Sequence, residues 1–131
     1  MTQLGEVSKE VDPKVGRVLR DFLSQLFSRV ISPSSFLVIE FHVIRELELE
    51  EPSLEGALEK DPESVYEAIA SVLRGKMYLE HMDLMLSNYL GRKFGILPEG
   101  ERVLERLKEG DVRGLLKLAD EYFKRVSEID R

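Results

Sequence analysis

Apolar residues recur along this chain at the three- and four-residue spacing of an α-helix more often than at the two-residue spacing of a strand. Between Val15 and Ile31 two such series interleave. Val15, Leu19, Leu23, Phe27 and Ile31 form one, and Val18, Phe22, Leu26 and Val30 the other. Together they make a stripe wider than the one core-facing face of a surface helix, which predicts a central helix contacted by neighbours on more than one side. Asp12 with Pro13 opens it as an N-cap followed by proline at the first helical position, where the missing N–H costs nothing. Ser32-Pro33 closes it and can cap the next segment.

The run from Phe36 to Leu49 fits two patterns. Its first half is almost wholly apolar, rich in β-branched and aromatic residues, and Phe41, Val43, Leu47 and Leu49 alternate as a strand would. No second strand-like run exists to pair with it, and a lone strand would leave its backbone groups unsatisfied. Helix is therefore the reading and strand the alternative. Pro52-Ser53 then precedes Leu54, Ala57 and Leu58, enough for a short helical turn or two.

Asp61-Pro62 repeats the N-cap signature, and Val65, Ile69, Val72 and Leu73 follow at helical spacing to a break at Gly75. From Lys76 to Phe94 the spacing predicts a helix with Tyr78, Met82, Met85, Leu86, Tyr89 and Leu90 on one face, stopped by Gly95. Ile96-Leu97-Pro98 reads as a turn. A small helix turns Val103, Leu104 and Leu107 inward and ends at Gly110. Asp111 caps the last helix, where Val112, Leu115, Leu116, Ala119, Tyr122, Phe123, Val126 and Ile129 share a face. The expected fold is all-α, a compact single-domain bundle of about five or six helices over residues 1–131, with residues 1–11 as a flexible N-terminal segment.

Charge adds one feature. Between Arg45 and Glu63 stand eight acids against two bases, which accounts for the whole net charge of −6. The remainder is balanced, with five acids and five bases before it and twelve of each after, so a general attraction to nucleic acid is not expected. The chain has no cysteine, which excludes disulfides and thiolate metal cages and fits a reducing compartment. The longest uninterrupted apolar run is Phe36 to Ile39, too short for a membrane span or a secretory signal. A cytoplasmic location is the resulting expectation. Gln3, Gln25 and Asn88 are the only side-chain amides beside abundant Glu, Lys, Arg and Leu, a composition of heat-adapted proteins.

Candidate chemistry is sparse. His42 and Glu46 lie four apart and offer a divalent metal two ligands, which are too few, and no Glu-x-x-His occurs to build a carboxylate-bridged di-metal bundle. Met77, His81 and Met85 repeat every four residues beside Met82, a set of soft donors for monovalent copper or a stretch of core filling. Nucleophilic catalysis lacks its cysteine and its Gly-x-Ser-x-Gly elbow. Acid pairs such as Glu80 with Asp83 read as solvated. Gly91 to Gly95 lacks the Gly-Lys-Ser/Thr arrangement of a phosphate loop, so Arg92 and Lys93 read as complements of a helix C-terminus. Gly110-Asp111 with Arg113, Lys117, Lys124 and Arg125 sketches a helix-turn-helix, against which Asp120, Glu121 and Glu128 on the same helix argue.

The stretch from Ser35 to Ile96 resembles a small archaeal helical family, the Nitrosopumilus-type output domains, which are signalling-output modules. The resemblance is carried by Ile39-Glu40-Phe41-His42-Val43-Ile44, by Pro52 with Leu54, Ala57 and Leu58, by Asp61-Pro62-Glu63 with Tyr66-Glu67-Ala68-Ile69, by Gly75, and by Tyr89 to Ile96. The family has another small residue soon after Gly75, where this chain has Lys76 and Met77. The resemblance implies an all-helical interaction or output module and no catalytic residues.

The resulting expectation is a non-catalytic protein-interaction or regulatory module, without a cofactor. Its partner is another protein with a basic surface that meets Glu46, Glu48, Glu50, Glu51, Glu55 and Glu59. A second copy of the chain is the other partner considered, through Leu115, Ala119, Tyr122, Val126 and Ile129. The alternative function is a helical sensor holding a metal or small ligand around Tyr78, His81, Met82, Met85 and Tyr89.

Overall fold

Seven α-helices and one π turn make up the described residues, 13–129, of the computed structural model, with no strand among them. The expected flexible segment 1–11 and the Asp12 cap lie outside these residues. In order the elements are α1 (Pro13–Val30), α2 (Ser35–Glu46), α3 (Glu55–Lys60), α4 (Pro62–Val72), α5 (Lys76–Tyr89) continued by a π turn (Leu90–Phe94), α6 (Glu105–Lys108) and α7 (Val112–Ile129).

The wide stripe of α1 is used as predicted up to Val30, whereas Ile31 lies beyond the helix and is exposed. Leu19, Phe22, Leu23, Leu26 and Phe27 are buried, and α1 packs on α2, α3, α5 and α7. Aromatic rings fill its contact with α7, where Phe22 meets Tyr122 at 5.4 Å between centroids and Tyr122 meets Phe94 of the π turn at the same distance. Where α1 crosses the start of α3 the backbones approach so closely that a Cβ on Gly16 would run into the Glu55 carbonyl. Gly16→Ala should therefore force the helices apart and lower stability by about 1–3 kcal/mol, read as an earlier urea midpoint with an unchanged slope.

The caps at Asp61 and Asp111 follow the sequence, whereas Ser32-Pro33 does not cap α2, whose N-cap is Ser34 without a side-chain cap hydrogen bond. Asp61 accepts hydrogen bonds from the Ser64 backbone N–H at 3.3 Å and the Ser64 hydroxyl at 2.7 Å, and Asp111 accepts from the Gly114 N–H at 2.9 Å. Gly95 takes the left-handed conformation (φ 66°) that ends the α5–π segment. Val103, Leu104 and Leu107 are all fully buried, as the small-helix pattern required.

Three expectations need correction. The run is helical only as far as Glu46, where α2 stops, and Glu48 (φ 54°) turns the chain in the left-handed region. The inward face of α5 is Leu79, Asp83, Leu86 and Ser87, continued by Leu90, whereas Tyr78 and Met85 point to solvent. Asp83 and Ser87 interrupted the apolar series, so periodicity alone rotated the face. In α7 Leu118 is buried and Ile129 exposed, because the helix runs past the end of the core.

Candidate functional site

Two buried carboxylates organise the fold around its surfaces. Glu40, 4% exposed, faces inward from α2. Arg20 of α1 grips it through both oxygens, Nε donating to Oε2 at 2.6 Å and an Nη to Oε1 at 2.8 Å, and the Leu54 N–H donates to Oε2 at 3.0 Å. The hydrogen bond to Glu40 raises the Arg20 pKa further, and the guanidinium also lies 5.5 Å from the Phe36 ring centroid. One carboxylate thereby ties α1, α2 and the start of α3 together.

Asp83 on α5 is the second. It too is 4% exposed, which corrects the expectation that Glu80 and Asp83 are both solvated; Glu80 alone is exposed. Asp83 accepts the N–H groups of Leu104 at 2.7 Å and Glu105 at 3.0 Å and the Ser87 hydroxyl at 3.2 Å, while Ser87 accepts the Val103 N–H at 2.9 Å. These N–H groups stand at the entry to α6, which has no cap of its own among its side chains. Burial pushes the Asp83 carboxyl up from its ordinary value, and the three hydrogen bonds pull it only part of the way back.

The opposite face of α2 carries the least expected feature. Leu37, Val38 and Phe41 are 56%, 54% and 55% exposed, although Phe36, Ile39 and Val43 of the same helix are buried. Their spacing makes one outward stripe. The Arg45 guanidinium lies 5.7 Å from the Phe41 ring and His42 packs edge-on against it at 5.3 Å. Periodicity did not single these residues out, but a helix apolar all round holds more apolar side chains than one core-facing side can bury.

The six glutamates do not form one uniform surface. Glu48, Glu50 and Glu51 are exposed, Glu46 is exposed but accepts the Ser71 hydroxyl at 3.2 Å, and Glu55 and Glu59 are half-buried on α3. His42, Arg45 and Glu46 instead border a shallow depression with Val72 and Arg74.

The Met77, His81 and Met85 series is divided between two grooves. Met77, 79% exposed, borders a polar groove of about 470 Å³ with Tyr66, Glu80, His81, Arg102, Glu105 and Lys108. Met85 borders an apolar groove of about 310 Å³ with Ile31, Leu73, Tyr78, His81 and Met82. His81 stands on the rim shared by both. Among the described residues no three His, Asp or Glu side chains gather where they could hold a metal ion. The bases that sketched a DNA-reading helix are exposed, and Arg125 donates to the Phe94 carbonyl at 2.8 Å, bracing α7 on the π turn. Leu115, Ala119 and Tyr122, considered for pairing with a second copy, are fully buried in the core. No helix among the described residues is long and apolar enough to cross a membrane.

No known family model, curated protein or solved structure matches the chain. The geometry is therefore the whole basis for a functional reading.

Proposed function

We propose that this chain is a non-catalytic interaction module that binds an amphipathic helix of another protein on the outer face of α2. One observation carries the reading: Leu37, Val38 and Phe41 form a continuous apolar stripe in solvent on a helix whose inner face is locked in place by the Glu40 ion pair. Isolated exposed apolar residues are ordinary, but a contiguous stripe on a rigid helix is a surface on which the apolar face of another helix can pack. The chain continues from α2 straight into exposed Glu48, Glu50 and Glu51, which would steer and orient a partner helix carrying basic residues. A cytoplasmic setting, in keeping with the absence of cysteine, completes the proposal.

Phe41→Asp tests it. The side chain supports no core packing, so thermal stability should change by no more than about 0.5 kcal/mol. Association with the partner should fall at least tenfold, the expected effect of removing a central aromatic anchor at about 2 kcal/mol or more. Unchanged association in a folded Phe41→Asp protein would place the contact elsewhere.

A further inference from the structure

The two grooves beside α5 divide its soft donors unevenly. Met77 borders the polar groove, whereas Met82 and Met85 line the apolar groove together with His81 on its rim. Ile31, Leu73 and Tyr78 complete the apolar lining, so this groove holds two thioethers, one imidazole and no carboxylate, lysine or arginine.

Helix geometry makes the three donors neighbours. Met85 stands three residues after Met82 and four after His81, the two spacings that set side chains side by side on a helix. A long helical side chain also leans toward the helix N-terminus over the preceding turn, which carries the Met85 sulfur toward both partners. Met82 is half-buried and packs on the core, which fixes one donor, while Met85 and His81 remain exposed, so an ion can reach them without the fold opening.

The chemistry of the set selects its guest. Thioethers are soft and uncharged, and they suit copper(I) where carboxylates and carbonyls suit hard divalent ions. A groove without a carboxylate also offers nothing to offset a double positive charge brought against apolar walls. We propose that His81, Met82 and Met85 form a three-donor site for a monovalent soft metal ion, copper(I) or its analogue silver(I). Met82 thus stands where the every-fourth-residue series put Met77. The site shares no residue with the outer face of α2 and stands or falls independently of it.

Titration of the full chain with silver(I) in chloride-free buffer, followed through the methionine methyl resonances, tests this. The expected result is saturable binding of one ion, with the Met82 and Met85 methyl signals shifting and that of Met77 unmoved. Met82→Leu, Met85→Leu and His81→Gln should each weaken binding about tenfold or more, and Met77→Leu should leave it unchanged. Leucine keeps the volume of methionine, so these variants should fold. Zinc(II) should bind at least about a hundredfold more weakly than silver(I). Absence of saturable silver(I) binding to the folded protein overturns the proposal. So does unchanged affinity in any of the three weakened variants, a tenfold loss in Met77→Leu, or zinc(II) binding as tight as silver(I).

Discussion

Glu40→Ala should remove about 3–5 kcal/mol of unfolding free energy, the usual consequence of breaking a buried ion pair from one side. The loss has two sources. Arg20, held by both carboxylate oxygens, would be left with its charge against the Phe36 ring and no hydrogen-bonded counter-ion, and the Leu54 N–H would lose its acceptor at the entry to α3. Removing both charges is expected to cost less than removing one. Arg20→Met with Glu40→Leu should recover much of the loss and leave only the Leu54 N–H unsatisfied. Urea unfolding of the three variants checks this, and a Glu40→Ala loss below about 1 kcal/mol would contradict it.

Asp83→Ala has the second large expected effect. It orphans the buried Leu104 N–H, worth about 1–3 kcal/mol when left unmade, takes the acceptor from the part-buried Glu105 N–H, and frees the Ser87 hydroxyl that holds Val103. The loop and α6 should loosen first, seen as faster amide exchange at residues 103–105 than elsewhere in the core.

The charge on Asp83 acts in the other direction. Its folded pKa lies above the ordinary carboxylate value, so its contribution to stability is complete below that ordinary value and is lost as pH rises through the folded one. Relative to Asp83→Asn, which does not titrate, the wild type should therefore gain stability as pH falls from about 7 toward about 3.5. A wild type that instead loses stability relative to the Asn variant over that range would reverse this sign.

The helices were legible in the sequence because their apolar spacing and their caps state the same thing twice. Asp61-Pro62, Asp111 and Gly95 mark ends that the structure keeps, and the doubled stripe of α1 announced its central place. The even mixture of Phe36 to Leu49 left strand open because spacing alone cannot separate a helix apolar all round from a strand, and the missing strand partner decided correctly.

What the sequence concealed was polar. Glu40 sits in a run of apolar residues and is itself buried, and Asp83 and Ser87 interrupt the apolar series of α5 while occupying its inner face. Apart from the Ser87 hydroxyl, four residues from Asp83, their partners lie between 14 and 22 residues away, so no local pattern reveals most of these hydrogen bonds. The polar groove joins Tyr66, Glu80, Arg102 and Lys108 from three helices and a loop, a juxtaposition that only the folded chain displays.

Site-specific photocrosslinking in the native host addresses the interaction reading most directly. A benzophenone-bearing phenylalanine at position 41 places the reactive group in the outward stripe of α2, and the same group at exposed position 117 on α7 samples a face with no assigned role. A discrete covalent adduct with a different protein is expected at position 41, and none of that adduct at position 117. The same adduct at both positions, or no adduct at position 41, would contradict an interaction face on α2.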